Sequence, residues 1–383
     1  MTLVQEPAAA QDASADHGHG GGRDFGPIRW LPRLLVVAPI AWFVLFQIPR
    51  TEDFAAVAAD ACIYAIVGLS LNIIIGYTGQ LSLGHQGFVG LGAFTAAYTL
   101  TVQQVPFALT FVLSAIIAGL IALAIGLVAL RITGLYLALI TLVFGLTLEG
   151  SIFEIPEFTN GGAGQPADRP EWLIDDGRFY LFCLAFLVAA VVVDYRLMKS
   201  KTGRALLALK ENERVAEAFG INVTMYKLIA FTLSGSMAGV AGALLAFRLG
   251  IVTGSGFGFF LALTFVLMTV VGGLGNRLGV ILGSTLFASL DFLLEGPLHF
   301  VERGFTWVLE LPGFESANIA QYDVQFIGAF LLLLTLVQFP GGIAQQNKAY
   351  FDWLGGKPFN PHDVLHPGKE SGPGTVEGSS VRA

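Results

Sequence analysis

Residues 106–149 read PFALTFVLSAIIAGLIALAIGLVALRITGLYLALITLVFGLTLE. Before Glu149 the only charge is Arg131, which divides the stretch into two apolar runs, 106–130 and 132–149. At about 1.5 Å per helical residue, each run is long enough, or nearly so, to cross a hydrocarbon core of about 30 Å. Neither shows period-two alternation. Backbone groups in lipid must bond within their own segment or around a closed barrel, so the stretch reads as two transmembrane helices.

The same signal recurs along the chain. Its 383 residues are 54% hydrophobic and only 13% charged, with a mean hydropathy of +0.69. A soluble domain carries about 25% charged residues, so this composition belongs in lipid. Further apolar runs cover 31–49, 56–75, 86–102, 179–197, 227–248, 258–275, 278–295 and 323–340. The expected fold is an all-α polytopic membrane protein of about ten transmembrane helices. Cys62 and Cys183 both fall in apolar runs and read as small buried residues, not a disulfide framework. The net charge of −7 gives no sign of a nucleic-acid partner. Residues 1–30 are polar and rich in Gly, Ala and His, without a cleavable signal pattern, and read as a disordered cytoplasmic tail. Residues 341–383 read as a second flexible tail. His17 and His19 lie in the first and read as polar tail.

An even number of crossings puts both ends on one side. With both in the cytoplasm, only Arg50, Arg169, Arg178, Arg248 and Arg303 of the 21 Lys and Arg lie outside. Lys/Arg asymmetry sets orientation, so the N-in, C-in arrangement is favoured. The transmembrane domain then covers 31–340. The acidic loops 150–178 and 296–322 are periplasmic, and the loop 198–226 is cytoplasmic. Glu149, Asp291 and Glu295 fall at outer span ends, and no carboxylate takes a clear mid-span position, which argues against a proton-coupled carrier.

Two stretches break the apolar pattern. Residues 76–95, GYTGQLSLGHQGFVGLGAFT, combine many glycines with Gln80, Ser82, His85 and Gln86. A lipid-exposed helix would not tolerate that composition, whereas a packed or re-entrant segment beside a cavity would. Residues 272–283, GGLGNRLGVILG, are similarly Gly-dense. The two stretches fall in opposite five-span halves, an arrangement that permits an inverted repeat. Gly79, Gln80, Ser82, His85 and Gln86 are the candidate lining of a translocation pathway. Asn72, Thr141, Thr147 and Thr264 are further polar groups at membrane depth. Amides and hydroxyls can bond a zwitterion without a fixed buried charge. For a single Ser or Thr, a bond to its own helix backbone is the plain alternative, and for His85 neutral packing is. Gly235-x3-Gly239 with Gly242, and Gly275-x3-Gly279-x3-Gly283, predict close helix packing.

The loop RLMKSKTGRALLALKENERVAEAFGINVTMYK, 196–227, is basic and polar between apolar runs. At helical spacing Ala208, Val215 and Phe219 share a face, and Glu213 and Glu217 fall opposite. Gly220 suits a left-handed C-terminal cap. This describes a short amphipathic helix, either on anionic lipid or docked on a soluble partner. The chain carries no G-x4-G-K-[ST] phosphate loop, H-E-x-x-H, G-x-S-x-G or paired-cysteine motif. No cofactor and no enzymatic activity are expected, and any ATP must be hydrolysed on another chain.

Several blocks in order resemble the LivM-type permease subunits of branched-chain amino-acid ABC importers. They are LNIIIGYTGQLSLGHQGFVGLGAFTAAY (71–98), ITGLYLALITLVFG (132–145), FTNGGAG (158–164), GRALLALKENERVAEAFGINVTMYKLIAFTLSGSMAGVAGAL (203–244) and MTVVGGLGNRLGVILGS (268–284). The resemblance implies an inner-membrane heterodimer with a second permease, two cytoplasmic ATPases and a periplasmic or lipid-anchored solute-binding protein. It implies import of branched-chain or related hydrophobic amino acids, with urea, amides or another small polar solute as the alternative. It also makes 211–220 the counterpart of the family's coupling loop, with Glu213, Ala216, Glu217, Ala218 and Gly220 as candidate contacts. The general E-A-A-x3-G pattern is not kept. Counting back from Gly220 gives Arg214-Val215-Ala216, with Glu213 one place off. An ion-gradient carrier is the rival from another class.

Overall fold

The computed structural model describes residues 43–129, 134–160 and 163–295, with Phe330, 342–347 and Tyr350 besides. The tail 1–30, the loop 296–322, nearly all of the span 323–340 and most of the two remaining ends lie outside these residues. Among the described residues the elements are helical apart from one two-residue ribbon. The helices are α1 (Glu52–Thr78), α2 (His85–Thr101), α3 (Phe107–Ala129), α4 (Leu135–Glu149), α5 (Asp176–Lys199), α6 (Lys201–Glu211), α7 (Glu213–Ala218), α8 (Val223–Leu249), α9 (Phe259–Gly272), α10 (Arg277–Ala288) and α11 (Leu290–Glu295).

Among the described residues six segments are long and apolar enough to cross a membrane: Asp53–Thr78, Phe107–Leu127, Leu135–Glu154, Asp176–Lys199, Val223–Leu249 and Gly254–Gly272. They match six of the ten expected spans. Two more, 86–102 and 278–295, correspond to helices shorter than these six. The first is α2, of 17 residues, and the second is broken into α10 and α11 at Ser289. The ends 31–42 and 331–340 lie outside the described residues, so the ten-helix count and the inverted repeat stand as expectations.

α1, α2 and α8 form the centre. They carry most of the fully buried residues, including Ile63, Ile66, Leu69, Phe88, Ala93, Ala238 and Leu244. α3 packs on α8 and α2, α5 and α10 pack on α1, α9 on α10, and α4 on α2. The outer helices show large apolar side chains, among them Leu120, Val143 and Val188. In water this would be a defect; in lipid an apolar outer face is the stable one.

Lipid provides no hydrophobic drive between helices, so contact depends on close fit. The predicted small-residue positions supply it. A Cβ at Gly239 would stand 2.5 Å from the Ser114 carbonyl oxygen. A Cβ at Gly92 would meet the Gly239 backbone, and one at Gly242 the Val89 carbonyl. Interhelical bonds run beside these contacts: Ser114 Oγ donates to Gly92 O at 2.9 Å, and Ser234 Oγ to Ser70 O at 2.5 Å.

The helix ends gather into two groups. At one end the loop after α4 folds back on the C-terminus of α8. Gln165–Pro166 pairs antiparallel with Ile251–Val252, and Arg169 Nε donates to Phe247 O at 2.7 Å. Arg248 of α8 holds Asp60 of α1 there, with Nε 2.9 Å from Oδ1 and Nη2 3.0 Å from Oδ2. The other end carries α6 and α7.

Candidate functional site

α6 starts at Ser200, whose Oγ accepts the Gly203 N–H at 3.3 Å. It buries Ala205, Leu206 and Leu209 and packs on α1, α5 and α8. Its Lys210 Nζ reaches across to donate to Gly76 O at the end of α1, at 2.8 Å. The helix then breaks at Asn212, which is extended at φ −164°. Asn212 Oδ1 accepts the N–H groups of Arg214 at 3.1 Å and Val215 at 3.2 Å, and α7 begins.

The one amphipathic helix expected through Ala208, Val215 and Phe219 is therefore corrected to two, because an asparagine that can cap the next helix competes with continuing the first. The predicted cap at Gly220 is present, at φ +81°. Its N–H bonds Glu217 O at 2.9 Å, and Ile221 N–H bonds Ala216 O at 3.1 Å. This is the pairing that closes a helix around a left-handed glycine. Replacing Asn212 with Ala should cost about 1 kcal/mol of local stability. Hydrogen exchange at the Arg214 and Val215 amides reads it directly; unchanged protection would remove the cap from the account.

The break re-aims the side chains. Ala216 is buried, whereas Glu217, Ala218 and Gly220 are exposed. The expected apolar face does not lie against the bundle: Val215 is 49% and Phe219 82% exposed. Glu213 turns inward instead, its Oε1 2.6 Å from Nζ of Lys227 on α8. That lysine is only 2% exposed. Sequence reasoning placed Lys227 at a span edge and gave it no role.

The two Gly-dense stretches meet beside this loop. Gly275 N–H donates to Asn72 Oδ1 at 2.8 Å, and a Cβ at Gly76 would lie 2.7 Å from Gly275 N. Nearby, fully buried Asp194 of α5 pairs with Arg277 of α10 and accepts the Tyr77 hydroxyl at 3.3 Å. Asp60 and Asp194 were not singled out in the sequence. Each is an acid inside a predicted span, 56–75 and 179–197, and that position was the available signal. Both are neutralised by arginine.

Of the candidate pathway residues, Gln80, Ser82, His85 and Gln86 are buried, whereas Gly79 is exposed. Gly79 ends α1 in the left-handed region, at φ +71°. The segment from Gly79 to Gly84 is irregular, with Gln80, Ser82 and Gly84 buried, which a membrane protein tolerates only where other protein covers it. Thr141 Oγ1 takes up the Leu83 N–H at 3.0 Å while donating to Ala138 O at 2.9 Å. Thr147 and Thr264 bond their own helices, to Val143 O and Phe260 O. Ser82, His85 and Gln86 are buried to within 1% and Gln80 to within 8%. His85 Nε2 lies 2.7 Å from Ser70 Oγ. Among the described residues, Gln80 Oε1, Ser82 Oγ and both amide atoms of Gln86 have no protein partner. No group of His, Cys, Asp and Glu among them could hold a metal ion.

Fold and site together define a multi-pass membrane protein with a packed helical centre and a structured polar loop on one face. The family model described as "Branched-chain amino acid transport system / permease component" matches residues 54–334. The chain is 31% identical over 291 residues to the high-affinity branched-chain amino acid transport system permease protein LivM of Salmonella typhimurium, covering 67% of this chain and 66% of that protein. It is also 31% identical over 292 residues to LivM of Escherichia coli K12, with the same coverage. A shorter match, 32% over 113 residues, joins 28% of this chain to 33% of the autoinducer 2 import system permease protein LsrC of Salmonella paratyphi B. The matched stretch thus spans just under two thirds of the LivM proteins' length. No solved structure matches. The chain belongs to the branched-chain amino acid transport permease family, and is a multi-pass protein of the inner membrane.

Proposed function

We propose that this chain is one half of the transmembrane pathway of an ATP-driven importer of branched-chain or related hydrophobic amino acids. Its partners are a second homologous permease, two cytoplasmic ATPases and a periplasmic or lipid-anchored solute-binding protein. The observation that carries this reading is α7, a helix capped at both ends that presents Phe219 and Val215 to solvent. An exposed apolar pair on a fixed helix fits a groove on a soluble partner better than it fits water. The loaded binding protein docks on the loops expected in the periplasm, 150–178 and 296–322. ATP-driven closure of the ATPases moves 198–226, and a rigid-body shift of the bundle switches access.

Gly79, Gln80, Ser82, His85 and Gln86, with the facing stretch Gly272–Gly283, border the path. Uncharged amides and hydroxyls there suit a zwitterion. The same chemistry accommodates urea, an amide or another small polar solute, and the similarity to an autoinducer 2 import permease keeps that alternative open. An ion-gradient carrier finds less support, because Asp60 and Asp194 are each committed to an arginine.

The test is Phe219→Asp in the assembled importer. It should leave the membrane domain folded while lowering ATPase co-purification and leucine uptake by about tenfold or more, the effect of a lost interface anchor. Normal ATPase binding and uptake in this variant would sink the docking role of α7.

A further inference from the structure

The acid nearest to the place of the E-A-A-x3-G glutamate, Glu213, is paired within the chain. Glu213 is the first residue of α7, and its side chain is 39% exposed. Its carboxylate meets Lys227 Nζ at 2.6 Å. Lys227 lies in the second turn of α8. It is also among the largest fully buried side chains of the chain. A lysine so placed is stable only with an acid at contact distance. Among the described residues, Glu213 is the one acid in ion-pair contact with it.

The surroundings make this pair a mechanical link. Asn222 caps α8, its Oδ1 accepting the Met225 N–H at 3.0 Å. The capped glycine turn at Gly220 closes α7 immediately before it. Buried Ala216 and Val223 flank the turn. α7 therefore reaches α8 through a short turn, an apolar contact and one charge pair. α8 in turn runs the length of the bundle, against α1, α2 and α3.

We infer that Glu213 is a positioning residue, an internal strut that makes α7 move with α8, and not a direct contact to the ATPase. This rests on the reading of α7 as the docking helix. Partner recognition then falls to Val215 and Phe219, and the one-place displacement of the glutamate has a physical reason. A carboxylate at position 213 points across the turn to Lys227, while its neighbour Arg214 faces solvent.

The experiment uses the importer reconstituted in liposomes with its ATPases, second permease and solute-binding protein, with labelled leucine as probe. Glu213→Gln and Lys227→Met should each leave the ATPases bound. Uptake per ATP hydrolysed, measured per assembled complex, should fall by about tenfold, near 1.4 kcal/mol of lost coupling. The charge exchange Glu213→Lys with Lys227→Glu should recover most of that ratio. A merely structural pair would change the yield of complex and leave the ratio alone. Unchanged uptake per ATP in Glu213→Gln overturns the strut, whatever Lys227→Met does. So does a charge exchange no better than the single variants. Loss of ATPase binding in Glu213→Gln overturns it in the other direction, making Glu213 a contact. Phe219→Asp separates the two levels: if it retains ATPase binding, the docking reading itself has failed.

Discussion

Gly92→Leu should abolish the folded bundle. A Cβ at this position meets the backbone of Gly239, not the movable end of a side chain, and the rest of the leucine has nowhere to go. Shifting α2 to make room would also strain the bond from Ser114 Oγ of α3 to Gly92 O, now at 2.9 Å. Overpacking of a rigid interior costs about 1–3 kcal/mol, more when backbone must shift, against a total stability of about 5–15 kcal/mol. We expect little or no monodisperse protein from detergent extraction. Gly220→Ala is the contrast: φ is +81° there and a Cβ meets nothing within 4 Å. The cost is then conformational alone, about 1 kcal/mol. Thermal unfolding of the two variants side by side decides the matter. A Gly92→Leu protein that melts with the parent would show that α2 and α8 are not in backbone contact.

The second large effect concerns Asp194. The side chain is fully buried, pairs with Arg277 and accepts the Tyr77 hydroxyl. Asp194→Leu leaves Arg277, 24% exposed, without its counter-charge, which should destabilise the protein by about 3–5 kcal/mol. Removing both charges, as Asp194→Leu with Arg277→Met, should return most of the loss, because a well-packed apolar pair avoids the desolvation cost of the ions. Unfolding in nanodiscs measures both. If the single variant is as stable as the parent, the pair contributes nothing. If the double is no better than the single, the defect lies in packing and not in the orphaned charge.

Much of this was legible in the sequence because lipid simplifies the problem. Long uncharged runs such as 106–130 leave few alternatives to a helix, and the small-residue spacings at 235–242 and 275–283 named the sites of backbone contact. The left-handed turn at Gly220 and the irregular buried stretch before His85 were also visible, since glycine and buried polar groups are rare where lipid is the solvent. What escaped is pairing across distant segments. Nothing local tells that Glu213 turns to Lys227, or that Asn72 caps the backbone at Gly275. The amphipathic pattern of the 196–227 loop misled for a related reason. It assumed one uninterrupted helix, and a single side chain, Asn212, divides that helix and turns Val215 and Phe219 outward.

The burial of the first ten residues of α2 also constrains biogenesis. Its 17 residues include His85, Gln86 and several glycines, and the helix packs against α3, α4, α8 and α9. A segment so short and so polar partitions poorly into bilayer by itself. It must enter the membrane in the company of α1 and α3, which bracket it in the chain, and can reach its final environment only after α8 has been synthesised. Insertion of this protein is then a cooperative event and not a series of independent hairpins, and ribosome-bound chains truncated before α8 should still leave α2 accessible to water-soluble labels.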